Sequence, residues 1–124
     1  MPLPPWPEAG FVTEEETAGS SGEEYLWIID PLDGTTNYIH GLFPVSVSIG
    51  LSCRNEVVAG VVFETGRNEM FYAWKGSKAF LNGKEIHVSS TKHAVDTLIG
   101  TGFPYYDFEL TRKYLAAMDE LMKL

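Results

Sequence analysis

The sequence predicts an α+β fold, with a mostly antiparallel sheet followed by a C-terminal helix. Three observations carry this. Between residues 25 and 88, short β-prone runs alternate with turn residues. Within one of them, Val45 to Cys53, apolar and small residues alternate with a strict period of two. Near the C-terminus, Tyr114, Leu115, Met118, Leu121 and Met122 share one stripe at helical spacing. Strands first and a helix afterwards is the α+β order. The 124 residues suit one domain at most, since domains typically run to about 100–150 residues. The apolar fraction of 44% and the charged fraction of 21% exclude wholesale disorder.

Taken in order, residues 1–10 hold four of the seven prolines, Pro2, Pro4, Pro5 and Pro7, and read as an extended or disordered arm. Residues 18–24 form a Gly/Ser-rich loop. Tyr25 to Ile29 is a short apolar run that fits a buried strand ending at Asp30, and Pro31 is expected to stop it. In the Val45–Cys53 strand, Val45, Val47, Ile49, Leu51 and Cys53 share the apolar face. Ser46, Ser48, Gly50 and Ser52 share a face small enough for a second layer to approach closely. Arg54-Asn55 turns the chain, and Val57–Phe63 reads as a strand buried on both sides. Gly66-Arg67-Asn68 turns it again before a strand at Met70–Trp74. Asn82-Gly83, between Phe80-Leu81 and Ile86–Val88, is a strong hairpin signal. Residues 45–88 therefore read as an antiparallel meander. Leu98–Gly102 is expected to add a short strand. A helix capped by Asp107 is expected to run to the C-terminus, its apolar stripe in core contact.

Charge is unevenly spread. The chain has 17 acidic and 9 basic residues, net −8. Residues 1–33 hold eight acids (Glu8, Glu14, Glu15, Glu16, Glu23, Glu24, Asp30 and Asp33) and no Lys or Arg, while the remainder is balanced. Such a segment repels a phosphate backbone, which argues against nucleic-acid binding and for cations as partners. The longest apolar run, Val57 to Phe63, falls far short of the ~20 residues of a membrane span. The first residues lack the basic and apolar regions of a signal peptide. A single cysteine, Cys53, excludes an internal disulfide framework and fits a reducing, cytoplasmic setting. On the apolar strand face, Cys53 is expected to be an inert core residue.

The chemistry concentrates in Trp27-Ile28-Ile29-Asp30-Pro31-Leu32-Asp33-Gly34-Thr35-Thr36-Asn37-Tyr38. Asp30 and Asp33 are held close on a turn. Two such anions repel unless a cation lies between them, and hard divalent ions such as Mg2+ prefer oxygen ligands. The Leu32 carbonyl offers a neutral ligand. Gly34 permits close approach of the backbone to a ligand. A short helix starting at Thr35 or Thr36 presents free N–H groups suited to phosphate. Carboxylates for metal beside amides for phosphate is the combination that metal-assisted phosphoryl hydrolysis needs. Glu14-Glu15-Glu16 upstream is open to two readings: a further ligand or general base, or a solvated acidic run. An EF-hand is excluded, because its acids fall at positions 1, 3 and 5 and here they fall at 1 and 4. No P-loop, HExxH, GxSxG or paired CxxC is present, Gly100-Thr101-Gly102 lacks a third glycine, and His87 and His93 show no ligand spacing; His40 falls near the motif, but a lone loop histidine is more often incidental.

The run WIIDPLDGTTNYIHG resembles the signature of the inositol monophosphatase family, within the Mg2+-dependent, lithium-sensitive sugar phosphatases. VSVSIGL and the segments EVVAGVVFE and EMFYAWKGSKAFLNGKEIHVS resemble the family's strand region, so the resemblance covers residues 11–124. It implies the N-terminal half of a layered αβαβα sugar-phosphatase fold. Phe11-Val12-Thr13-Glu14-Glu15 resembles the family's upstream acidic motif, which makes Glu14 a metal ligand that helps activate water. The resemblance makes Asp30 and Asp33 metal ligands through their carboxylates and Leu32 one through its carbonyl. It places Asp33, Gly34 and Thr35 at the substrate phosphate, with the Thr35 hydroxyl orienting the attacking water. Thr36-Asn37 resembles the inositol-phosphatase branch; the 3′,5′-bisphosphate nucleotidase branch commonly has Lys-Glu there.

The implied reaction is in-line attack of water on a small phosphate monoester, inositol monophosphate first, with Mg2+ as cofactor, no covalent enzyme intermediate, no nucleic acid or membrane partner, and a homodimer open to the full-length protein. Fructose-1,6-bisphosphatase or 3′,5′-bisphosphate nucleotidase activity is the neighbouring alternative, and a non-catalytic cation-binding relative the alternative of another class. The family's two leading helices and its Trp-Asp motif, a further metal ligand, have no counterpart here. The chain is therefore expected to be part of a longer protein, an arm at 1–10 and a partial domain at 11–124, and weak or inactive by itself.

Overall fold

The computed structural model describes residues 9–13, 24–103 and 108–123, and the chain divides into two compact units, Met1–His87 and Val88–Leu124. The first unit carries a seven-stranded sheet in sequence order. The strands are β1 (Ala9–Thr13), β2 (Tyr25–Asp33), β3 (Ser46–Cys53), β4 (Glu56–Glu64), β5 (Glu69–Trp74), β6 (Ala79–Leu81) and β7 (Lys84–Ile86), with a five-residue helix, α1 (Thr35–Ile39), between β2 and β3. β1 pairs with β2 in parallel and every other neighbour is antiparallel.

Turn chemistry explains the meander. Arg54 and Asn55 both have positive φ, 51° and 65°, as do Asn82 and Gly83 at 48° and 83°. Such two-residue turns match the twist of the strands they join. Asn82 ties this hairpin to the start of β5: its Oδ1 accepts from Met70 N at 2.8 Å and its Nδ2 donates to the Asn68 carbonyl at 3.1 Å. The apolar face stacks rings across strands, with Tyr72 and Phe80 paired in register, centroids 5.3 Å apart, and Trp74 5.7 Å from Phe80.

Several expectations are corrected. β1 begins at Ala9, so Ala9 and Gly10 belong to the sheet; the four prolines of the expected arm lie outside the described residues. β2 does not stop at Asp30 but runs to Asp33. Pro31, which lacks an N–H, is tolerated because it falls where the β2–β3 register shifts. β4 is not buried on both sides, since Val57 is 63% exposed and Val62 39%. β7 ends at Ile86, and Val88 is exposed. Cys53 is only half-buried.

In the second unit, Leu98–Gly102 forms no strand, and a short 3-10 helix spans Ala94–Asp96. The helix α2 (Thr111–Met122) starts later than expected, at an N-cap of Leu110 with no side-chain cap; Asp107 lies outside the described residues. Of its apolar stripe Tyr114 and Met118 are half-buried, whereas Leu115, Leu121 and Met122 are exposed, so the stripe is not in core contact. Tyr114 anchors it locally: its hydroxyl lies 2.8 Å from Thr101 Oγ1, and its ring meets Phe103 edge-on at 5.6 Å. No helix of the described residues is long and apolar enough to cross a membrane.

Candidate functional site

Asp30 and Asp33 are three residues apart, an odd spacing that puts two side chains on opposite faces of a regular strand. The ladder removes that problem. Asp30 pairs with Ser48, and Asp33 with Ser46. Three steps along β2 are thus matched by two along β3, a bulge of one extra residue across Pro31-Leu32. The bulge returns Asp33 to the face of Asp30, beside the Ser46–Ser52 face of small residues. The small-residue face seen in the sequence thus lies beside the two carboxylates, with Ser46 and Ser52 buried on it.

Local hydrogen bonds fix the turn. Asp30 Oδ1 accepts from Leu32 N at 3.1 Å, and Thr35 Oγ1 donates to the Leu32 carbonyl at 2.9 Å. Gly34, with φ of +90°, is the N-cap of α1. A Cβ there would lie 2.8 Å from the Pro44 carbonyl oxygen, so only glycine fits both the dihedral and the space. That same carbonyl accepts from Asn37 Nδ2 at 2.9 Å, tying α1 to the segment that enters β3. Tyr38 N donates to the Gly34 carbonyl, which leaves the N–H groups of Thr35 and Thr36 at the turn without intrahelical carbonyls.

The β3 end of the site is held from the other side. Val45 is buried, and its carbonyl accepts both Thr65 N at 3.0 Å and Thr65 Oγ1 at 3.1 Å. Glu64, the ladder partner of Ser46, folds over the β4–β5 turn and accepts from Arg67 N at 2.6 Å and Gly66 N at 2.9 Å. The Arg67 N–H, with that of Gly66, holds the Glu64 carboxyl below its ordinary range against a desolvation that opposes this.

The donor set suits a hard cation. Asp33 Oδ2 accepts from Ser46 Oγ at 3.2 Å. Among the described residues, the other oxygen of each aspartate accepts no hydrogen bond, and the Leu32 carbonyl keeps a second lone pair. All three are oxygen donors of the kind Mg2+ takes. Among the described residues no group of three or more His, Cys, Asp or Glu comes together. Glu14 lies outside them. β1 carries the chain to Thr13, opposite Ile29. His40 Nδ1 lies 2.7 Å from the Thr36 carbonyl, a bond that closes the end of α1. Two contributors were not singled out in the sequence: Asn37 as the tie to Pro44, and Ser46 as the donor to Asp33. Only the period-two pattern of the strand carried a trace of the second.

Comparison with known proteins places this geometry. The inositol monophosphatase family model matches residues 6–123. An inositol-1-monophosphatase of Rhizobium meliloti (strain 1021) is 39% identical over 118 residues, covering 94% of this chain and 44% of that protein. The Nus factor SuhB of Pseudomonas aeruginosa is 44% identical over 103 residues, covering 83% of this chain and 36% of its own length. Among solved structures, the extragenic suppressor protein suhB from Bartonella henselae superposes with a TM-score of 0.84 at 36% identity, covering 92% of this chain and 44% of that one. The chain belongs to the inositol monophosphatase family, and it spans less than half the length of these relatives.

Proposed function

We propose that this chain forms the metal- and phosphate-binding part of a Mg2+-dependent phosphatase that hydrolyses a small phosphate monoester, inositol monophosphate first. The observation that carries the reading is the bulged Asp30–Asp33 turn, which sets two carboxylates and the Leu32 carbonyl on one rigid segment next to the Gly34–Thr36 backbone. Asp30, Asp33 and the Leu32 carbonyl would hold Mg2+, together with Glu14. The parallel pairing of Thr13 with Ile29, the residue before Asp30, supports Glu14 as a third carboxylate. When bound, Mg2+ offsets the charge that develops on the phosphoryl oxygens and acidifies water.

The chain's own groups position the reactants. The Gly34 backbone and the N–H groups of Thr35 and Thr36 receive phosphate oxygens. The Thr35 hydroxyl donates to the Leu32 carbonyl, so its oxygen is left to accept a hydrogen bond from the attacking water. Glu14 would take that water's proton as the new P–O bond forms. The bond to the leaving oxygen breaks, that oxygen takes a proton from solvent, and the products are inorganic phosphate and the free alcohol.

The test uses the complete protein and measures phosphate release from inositol monophosphate against Mg2+ concentration. Asp30→Asn and Asp33→Asn are each expected to abolish Mg2+-dependent release, a loss of at least about a hundredfold. Full turnover in both variants would overturn the assignment of the ligands. Running fructose-1,6-bisphosphate and a nucleoside 3′,5′-bisphosphate beside it decides the substrate.

A further inference from the structure

We propose that Ser46 is the positioning residue that sets the orientation of the Asp33 carboxylate for metal binding. This rests on the reading of Asp33 as a ligand. Two of the hydrogen bonds that shape the site stay within the turn, Leu32 N to Asp30 and Thr35 Oγ1 to the Leu32 carbonyl. Asp33 accepts neither. Among the described residues its side-chain partner comes from thirteen residues away, the Ser46 hydroxyl at 3.2 Å from Oδ2.

The two partners differ in freedom. Asp33 is exposed, at the end of β2, where its side chain can turn in water. Ser46 is 9% exposed and sits in a strand paired on both sides, with Asp33 in β2 and Glu64 in β4. Its backbone is further held by the preceding Val45, whose carbonyl takes both bonds from Thr65. A buried donor thus meets one oxygen of an exposed carboxylate through a long hydrogen bond and leaves the other oxygen to an ion. A partner of this kind outside the ligand set tunes affinity by orienting the ligand before the ion arrives. It also couples the turn, which is locally determined, to the sheet, which is not.

The experiment measures binding of Mn2+ alone to the complete protein, by the electron paramagnetic resonance of the free ion, for the wild type and for Ser46→Ala, Ser46→Thr and Asp33→Asn. Ser46→Ala is expected to weaken Mn2+ binding about tenfold with little change in melting temperature, and to raise the Mg2+ concentration for half-maximal phosphate release in step. Ser46→Thr, which keeps the hydroxyl, is expected to stay close to the wild-type affinity. Loss of binding in Asp33→Asn with wild-type binding in Ser46→Ala overturns the role of Ser46 alone. A threonine variant as weak as the alanine variant overturns it too, because packing rather than the hydroxyl would then be at work. Wild-type binding in Asp33→Asn sinks the metal reading and this inference with it.

Discussion

Asp33 follows Asp30 closely in sequence, and Gly34 follows Asp33, but the three residues are constrained by different things. The carboxylates are set by hydrogen bonds, whereas Gly34 is set by space. Its φ of +90° is a region that side chains rarely adopt, and the Pro44 carbonyl occupies the place of a Cβ. Gly34→Ala must therefore shift the Pro44 carbonyl or twist the turn, and Asn37 holds that carbonyl in place. We expect the substitution to cost about 1–3 kcal/mol of stability, read by denaturant titration of the complete protein. Phosphate release should fall with it, because Thr35 and Leu32 move as the turn moves. An alanine variant of unchanged midpoint and activity would show that the turn has slack which the geometry does not reveal.

At the scale of the element, the bulge in β2 is the device that makes the site. In a regularly paired strand the odd spacing of three sends Asp30 and Asp33 to opposite faces, and the bulge cancels the odd step. Deleting Leu32 makes the two aspartates an i, i+2 pair, still on one face, but removes the Leu32 carbonyl and the bulge that sets it, so Mn2+ binding is expected to weaken. Leu32→Ala removes the side chain but keeps the carbonyl and the residue count. It is expected to bind Mn2+ close to wild type. Equal binding by the deletion variant and wild type would mean that neither the bulge nor the Leu32 carbonyl serves the ion. The same element shows how far a proline rule reaches: Pro31 was expected to end the strand, and it sits instead where the ladder skips, so no bond is missed.

For the whole molecule, the notable quantity is exposure. Among the described residues Val45 is the one buried apolar side chain. Ile28, Val57 and Trp74 are 42, 63 and 54% exposed, on strands whose composition suits burial. Apolar surface of this extent drives association in water. The 124-residue chain by itself is accordingly expected to bind the dye ANS strongly and to self-associate in sedimentation velocity. A monomer that leaves the dye dark would show that these side chains are covered.

The strand meander, its turns and the composition of the site were legible in the sequence, because period-two alternation and residues such as Asn82-Gly83 act through neighbours along the chain. The signature Asp30–Thr35 was legible for the same reason: its bonds from Leu32 to Asp30 and from Thr35 to Leu32 span two and three residues. What lay beyond the sequence depends on pairing between distant segments. The entry of Ala9 into a parallel strand, the passage of β2 through Pro31 and the grip of Ser46 on Asp33 each need a partner strand in a particular register. The failure of Leu98–Gly102 to become a strand has the same cause, since an apolar run becomes a strand only where a neighbour accepts its hydrogen bonds. The sequence by itself determined which residues are the candidates for the chemistry; the tertiary structure decided that a bulge turns an i, i+3 pair of carboxylates onto one face, because register is a property of two strands and not of one.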